Sequence, residues 1–421
     1  MKQIVIVGNS AAGVSAAEAI REKDKEAGIT IVSVENRLAY YRYLLGDVLI
    51  GTVTDKDLLF RQKEFYEELN INLELGKKVE KVNTKRKCVV FEDKSKIEYD
   101  YLIIATGSMM KPPKEVKGIN KQGVFEFRTV DDLRDISTLI AFSHTVCVWG
   151  AGIAGLKAAY GLSLRGLDVK IITQDNRLLS DSLDAQASSV LLKRLQNKGI
   201  EFIPESEIVE IFGESDVKAI KLDSGKVIGC GILIVDKFKS PRTRLVQDTD
   251  IKQDNGIITD QNMKTSDDNI FAAGDVTRVF TPEGYEIKMP MSWANALEQG
   301  RIAGANVIAK LHGKENEMLR FTRTAWDKKT EFSAMPLLFF GKSADSAFAA
   351  TEELLFLDEE NSVYKKVLLV NNKIIGFTGV GNITGSDIFM KLIEKDADIS
   401  SVKDSLLTEQ LNDELVKDLI A

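Results

Sequence analysis

The sequence predicts an α/β protein, built from two dinucleotide-binding βαβ units followed by a smaller α+β segment. Three observations predict it. A glycine-bearing loop opens the chain in "QIVIVGNSAAGVSAAEAI", with Gly8 and Gly13. A second such loop stands in "TVCVWGAGIAGLKAAYGL", with Gly150, Gly152 and Gly155. Each follows a β-branched apolar run and opens an Ala-rich run, the strand–loop–helix context that gives a glycine pattern its meaning. From residue 321 onward the texture changes to short alternating strands.

The elements follow in order. Residues 3–7 read as a buried parallel strand, 11–23 as its crossover helix and 29–35, "ITIVSVE", as the next strand. The start of such a helix offers unpaired N–H groups and a positive dipole end to a pyrophosphate. Small residues let the backbone approach it, and Glu35 at the next strand tip is placed to accept from ribose hydroxyls. Ser10 replaces the middle glycine of the pattern. Residues 101–108, "YLIIATGS", read as a strand ending in a small-residue turn, and 146–172 repeat the βαβ pattern. A long helix and a strand are expected over 184–203, a strand over 230–235 and another over 269–276, ending in Gly274 and Asp275. Residues 291–311 form a proline-free helix. Strands are expected at 335–341, 352–357, 363–371 and 373–380, with a tight turn in "VNNK". A helix over 384–395 and an acidic helical tail complete the chain.

Composition excludes several classes. A chain of 421 residues holds about three domains' worth of sequence. The net charge of −7 argues against a nucleic-acid partner, which needs a basic face. No apolar run reaches the ~20 residues of a membrane span, so no membrane association is expected. The start, "MKQIVIVG", runs straight into a strand, from which no signal peptide is expected. Three cysteines without CxxC or CxxxxC spacing exclude a disulfide framework, a zinc ribbon and a cysteine-ligated cluster. A reducing cytoplasm is the expected compartment. Two histidines, His144 and His312, leave little for a metal site or for His-centred catalysis, and no metal is expected.

Five strings in order carry a resemblance: "VIVGNSAAG", "YDYLIIATGS", "VWGAGIAGLKAA", "MKTSDDNIFAAGDV" and "WANALEQGRIAGANV". Together they resemble the FAD loop, central ATG motif, pyridine-nucleotide loop, second FAD motif and flavin-facing helix of one family. That family is the two-dinucleotide-binding-domain flavoproteins, or pyridine nucleotide–disulfide oxidoreductases. The resemblance implies two Rossmann-like domains, one for FAD and one for NAD, plus the C-terminal α+β domain. Residues 1–112 and 246–320 would bind FAD, 113–245 would bind NAD(P)H, and 321–421 would form an α+β interface domain. It also implies that Gly8, Ser10, Ala11, Gly13, Glu35, Asn36 and Arg42 hold the ADP half of FAD and its surroundings. Ala105, Thr106, Gly107, Gly274, Asp275, Ser292 and Trp293 would line the rest of that cofactor. Gly150, Gly152, Ile153, Ala154, Gly155 and Thr173 would receive the nicotinamide dinucleotide.

The departures from the family pattern point to a branch. Residues 38–51, "LAYYRYLLGDVLIG", carry none of the redox cysteines that the family's disulfide reductases place in this part of the fold. Cys88, Cys147 and Cys230 lie in apolar strand contexts and read as buried, inert thiols. The chain is therefore similar to the cysteine-free branch, which includes NADH:rubredoxin reductases, ferredoxin reductases and the FAD portion of nitrite reductase. Such a protein takes electrons from NADH through FAD to a rubredoxin- or ferredoxin-like protein, or exchanges them with an iron–sulfur subunit. A flavin NADH oxidase reducing O₂, a flavoprotein subunit of a larger metalloenzyme and a non-catalytic nucleotide sensor are the alternatives. Where many relatives pair a Lys beside the flavin N5 edge with a Glu after the third glycine, this chain has Asp47 and Lys157. These are either the same pair with signs exchanged, taking catalytic roles with Arg42, or a loop acid and a helix-face lysine in water. At the nucleotide selector stand Thr173, Gln174 and Asp175, with Arg177 the nearby base, which favours NADH and leaves NADPH possible. The oligomeric state is not legible.

Overall fold

The computed structural model describes all residues except 114, 288–290, 323–326, 333–334, 342–351, 409 and 421, and for 327–332 and 335 the backbone alone. The chain divides into two compact units. One comprises Met1–Tyr43, Asp55–Lys111 and Lys239–Thr324; the other comprises Leu44–Thr54, Pro112–Phe238 and Ala325–Ala421.

The first unit is built on a five-stranded parallel sheet. Its order is Ile270–Ala272, Tyr101–Ile104, Gln3–Val7, Gly28–Ser33, Ile71–Leu75. The middle strands are buried on both faces, as parallel strands under helices must be, and Ile4, Ile6, Ile31 and Ile103 are fully enclosed. Helices Ala11–Lys23 and Trp293–Leu311 share one face. They approach closely because Gly300 and Gly304 sit on the backbone of Ala12 and Ala16, where a Cβ would come within 2.1 and 2.2 Å of the carbonyl oxygens. Val5, Val7, Leu102 and Ile104 face the other side, in one core with Val89 and Phe91 of the antiparallel strands Val79–Asn83, Cys88–Phe91 and Lys96–Glu98.

The second unit repeats the plan. Its parallel sheet has the order Ile200–Ile203, Asp168–Ile172, Thr145–Trp149, Ile232–Val235, Val124–Phe125. An antiparallel sheet, Ile208–Phe212, Ala219–Leu222 and Val227–Gly229, closes its core around Trp149, Ile172 and Leu233. The same unit carries a five-stranded antiparallel sheet. Its order is Asp327–Phe332, Met335–Gly341, Lys373–Val380, Val363–Val370, Glu352–Asp358. Helices Asp387–Glu394 and Asp413–Ile420 cover it, and the rings of Phe340, Phe377 and Phe389 stack through its core. The turn in "VNNK" is the tight one expected. Asn371 and Asn372 both take positive φ, 50° and 58°, the pairing a two-residue hairpin requires.

Several boundaries differ from the sequence reading. The second strand ends at Ser33, so Glu35 stands beyond it. The expected strand 101–108 breaks after Ile104 and resumes at Ser108–Met110, because Gly107 turns the chain with φ 68°. The strand expected over 269–276 is the three residues Ile270–Ala272, and Gly274, at φ 83°, begins the turn. The helix expected over 384–395 starts at Asp387, behind Gly385.

Candidate functional site

In the first unit the glycine loop leaves the central strand at Gly8, whose φ is 130°. A Cβ here would lie 2.1 Å from the Ala105 oxygen, and one at Gly13 would lie 1.8 Å from the Gly8 oxygen. The loop is thus folded on itself by residues without side chains. Ser10 is the N-cap of helix Ala11–Lys23, yet its side chain makes no capping bond, and no acid stands in the first turn. A 13-residue helix therefore presents its first-turn N–H groups and dipole without an internal carboxylate. This cradle fits a pyrophosphate.

Around the loop, the carboxylate of Glu35 accepts from the Tyr40 hydroxyl at 2.7 Å and pairs with Arg42. Arg42 also donates to the Tyr40 hydroxyl at 2.9 Å and lies over its ring. The Glu35 side chain keeps 16 % of its surface exposed. Asn36 lies against Gly76. The Thr106 hydroxyl donates to the Arg242 carbonyl at 2.8 Å, and Ser108 Oγ donates to Asp275 Oδ2 at 2.9 Å. The Gly274 N–H is held by the buried Gln299 oxygen at 2.7 Å, which also receives Thr277 Oγ1. Ser292 caps helix Trp293–Leu311 by accepting from the Asn295 N–H at 3.2 Å. Trp293, its first residue, packs against Tyr41, Tyr43 and Phe60 with ring centroids 5.1–5.6 Å apart. Tyr40, Ser108 and Gln299 were not singled out from the sequence. Gln299 sits inside "WANALEQG", where a polar residue on the buried face was the signal.

In the second unit, helix Leu45–Ile50 lies on helix Ile153–Ser163. Gly46 permits the approach, since a Cβ there would come 2.4 Å from the Lys157 Cβ. The contact carries the pair left open above: Lys157 Nζ donates to Asp47 Oδ2 at 2.6 Å, with side chains 5 % and 9 % exposed. Asp47 and Lys157 are thus a buried ion pair, and neither is a group in water. Gly150, at φ 118°, and Gly152 form the loop, and Ile153, Ala154 and Gly155 open the helix. Asp236, which the sequence reading passed over, reaches into this loop, its Oδ2 accepting from the Gly155 N–H at 2.7 Å. An acid closing the apolar run "GILIVD" was the available signal.

Thr173 stands at the end of strand Asp168–Ile172 but is only 3 % exposed, and its hydroxyl bonds the Asp175 carboxylate at 3.3 Å. Gln174, Asp175 and Asn176 face solvent beyond this strand end, and Asp175 is the acid among them. Arg177 directs its guanidinium at the Ser180 and Leu183 carbonyls of its own loop. All three cysteines are free and buried. The Cys147 thiol, hydrogen-bonded to Cys230 and shut away from water, is held well above the ordinary thiol range.

Comparison with known proteins gives a consistent frame. The profile of the family described as pyridine nucleotide-disulphide oxidoreductase matches residues 2–300. The nitrite reductase [NAD(P)H] of Bacillus subtilis (strain 168) is 31 % identical over 98 % of this chain, which spans only 50 % of that relative. The chain likewise spans about half of a second B. subtilis relative, an assimilatory nitrate reductase electron transfer subunit. The ferredoxin–NAD(+) reductase component of a 3-phenylpropionate/cinnamic acid dioxygenase from Photorhabdus laumondii is 30 % identical over 71 % of this chain and 76 % of its own. Among solved structures, a covalent putidaredoxin reductase–putidaredoxin complex superposes with a TM-score of 0.85 at 21 % identity, covering 100 % of this chain and 99 % of that one. Among the described residues no helix is long and apolar enough to cross a membrane.

Proposed function

The chain belongs to the pyridine nucleotide-disulphide oxidoreductase family, and from that premise we propose that it is an FAD-dependent NADH oxidoreductase passing electrons to a protein acceptor without a cysteine relay. The observation that carries the reading is the duplication: two glycine loops of like geometry in one chain whose three thiols are all buried. The ferredoxin reductase relative supports a small ferredoxin- or rubredoxin-like acceptor, and the nitrite reductase relative, of which this chain spans half, supports a section of a larger assembly.

FAD, when bound, would supply the redox chemistry that links nicotinamide to the acceptor. The chain supplies placement. Gly8, Ser10, Ala11 and Gly13 hold the pyrophosphate through the first-turn N–H groups. Glu35, oriented by Tyr40 and Arg42, accepts from the adenosine ribose, with Asn36 beside it. Ala105, Thr106 and Gly107 shape the strand-end turn along the cofactor, and Asp275, fixed by Ser108, accepts from its polyol. Ser292 and Trp293 begin a 19-residue helix whose positive end would favour negative charge on a ring bound there. Gly150, Gly152, Ile153, Ala154 and Gly155 receive the nicotinamide dinucleotide. Arg42, Asp47 and Lys157 are the charged side chains proposed to serve the reaction. We divide the chain functionally into 1–112 with 246–320 for FAD, 113–245 for NAD(P)H and 321–421 as an α+β interface domain.

The test is anaerobic. The purified protein should be yellow, should bleach on NADH, and should recover its colour faster with a ferredoxin or rubredoxin than with air. A colourless chain that FAD cannot reconstitute overturns the reading; faster recovery with O₂ than with any protein acceptor replaces it with an oxidase.

A further inference from the structure

We infer that Asp236 is an affinity-setting residue of the second glycine loop: its carboxylate holds a place at the helix N-terminus that a dinucleotide pyrophosphate must contest. The inference rests on the reading of that loop as the pyridine-nucleotide site.

The duplication gives an internal comparison. In the first unit, strand Gln3–Val7 pairs with Tyr101–Ile104, with Val7 opposite Ile104, and the Ala105 N–H donates to the Val7 carbonyl at 2.9 Å. In the second, Thr145–Trp149 pairs with Ile232–Val235, with Trp149 opposite Val235, and the Asp236 N–H donates to the Trp149 carbonyl at 2.8 Å. Gly8 and Gly150 begin the two loops in the same register, each N–H donating at 2.8 Å to the strand on the other side, at Val32 and Ile172. Ala105 and Asp236 are therefore equivalent positions. A Cβ on Gly8 would strike the Ala105 oxygen, and one on Gly150 would come 2.5 Å from the Asp236 oxygen. The side chains differ: a methyl in the first loop, a carboxylate in the second.

Asp236 is only 6 % exposed, and its carboxylate lies inside the loop. A Cβ on Gly152 would be 2.5 Å from its Oδ2, and one on Gly155 would be 2.9 Å away. It takes the Gly155 N–H, in the first turn of helix Ile153–Ser163, where no acid of the helix itself stands. A negative charge satisfies the orphan donor and complements the dipole, which is the service a pyrophosphate renders at such a loop. Lys237, the next residue, turns its ammonium to Glu207 at 2.6 Å and over the rings of Trp149 and Phe238. A phosphate entering the second loop meets a resident anion; one entering the first meets a methyl. The asymmetry suits a cofactor kept through many turnovers beside a substrate that must leave after each.

The test measures ADP-ribose, which carries the pyrophosphate but no nicotinamide, on the FAD-loaded chain by titration calorimetry. Adenosine is the phosphate-free control. Asp236→Ala, which copies the first loop, and Asp236→Asn, which keeps an acceptor for the Gly155 N–H, should each bind ADP-ribose about tenfold tighter than the wild type, the order expected from removing one charge near a partly screened phosphate. Adenosine affinity should change less than twofold, and high salt should shrink the ADP-ribose difference. FAD content and melting midpoint confirm folding, with Asn as the milder change. Equal or weaker binding by both folded variants overturns the inference and leaves the nucleotide reading standing. Failure of wild type and variants alike to bind ADP-ribose or NADH, with FAD retained, overturns both.

Discussion

Lys157 Nζ and Asp47 Oδ2 stand 2.6 Å apart between two helices, with almost no water on either side chain. Gly46 and Gly161 let the short helix Leu45–Ile50 pack closely on its neighbour, and Arg165 Nε adds a bond to the Leu49 carbonyl at 3.1 Å. Breaking a buried pair leaves a lone charge in a poor solvent, costing roughly 3–5 kcal/mol, whereas replacing both members by apolar groups is far cheaper. Asp47→Asn and Lys157→Met should each lower the melting midpoint by about 5–15 °C, and Asp47→Leu with Lys157→Met should recover most of it. Midpoints are the right measure, since a chain of more than one compact unit need not unfold in one step. Additive losses would show that the pair has no coupling.

The Glu35 carboxylate is held by Tyr40 and Arg42, which orient it as an acceptor for a ribose. Hydrogen bonds to a charged group are worth about 1.5–3 kcal/mol. Glu35→Ala should raise the FAD dissociation constant at least tenfold, read from flavin fluorescence on dilution. Asp275→Ala should act in the same direction through loss of the acceptor that Ser108 fixes. Tyr40→Phe should act more weakly, because Arg42 still orients the carboxylate. Unchanged retention in Glu35→Ala would remove this residue from the FAD site.

The thiols give a sharper test of the cysteine-free route. Cys147 is fully buried, Cys88 and Cys230 are 3 % and 4 % exposed, and burial with the Cys230 contact keeps Cys147 protonated. A disulfide reagent should find no fast thiol in the native protein and three after unfolding. A thiol pKa raised in the fold contributes stability that is whole below the unfolded value of about 8.5 and falls as pH rises past it. Replacing all three by Ala should leave NADH-dependent bleaching intact while lowering stability through cavities. A thiolate charge-transfer band, or loss of bleaching in a folded variant, would restore a cysteine to the mechanism.

Much of this site was legible because glycine spacing, apolar period and strand-end acids are local signals. The two loops, the helix at Trp293–Leu311 and the Asn371–Asn372 turn stand where the pattern puts them. Other features needed the fold. Asp47 and Lys157 are 110 positions apart, and residue types alone could not tell a buried pair from two solvated charges. The antiparallel strands Val79–Asn83 and Ile208–Phe212 escaped notice because their exposed faces dilute the apolar signal. Asp236 closes an apolar run in the sequence, but the pairing of Trp149 with Val235 is what shows that this acid enters the loop.

The same limit applies to nucleotide choice. Thr173 was the expected selector, but its hydroxyl is turned inward to Asp175, and Asp175 is the exposed acid at the strand end. A carboxylate there can accept from the 2′- and 3′-hydroxyls of NADH and repels the 2′-phosphate of NADPH. Arg177, the one base nearby in sequence, spends its guanidinium on the Ser180 and Leu183 carbonyls, away from the fork geometry a phosphate needs. The wild type should therefore favour NADH in kcat/KM by about tenfold, the scale of one solvent-screened like-charge contact. Asp175→Ala should cut that ratio mainly by improving NADPH, and Asp175→Arg should carry it further. Thr173→Glu should instead destabilise the fold, because a longer charged side chain must enter a site 3 % exposed. Stopped-flow bleaching with each nucleotide separates the two. A ratio unmoved by Asp175→Ala would return the choice to another residue, and a wild type favouring NADPH would reverse it.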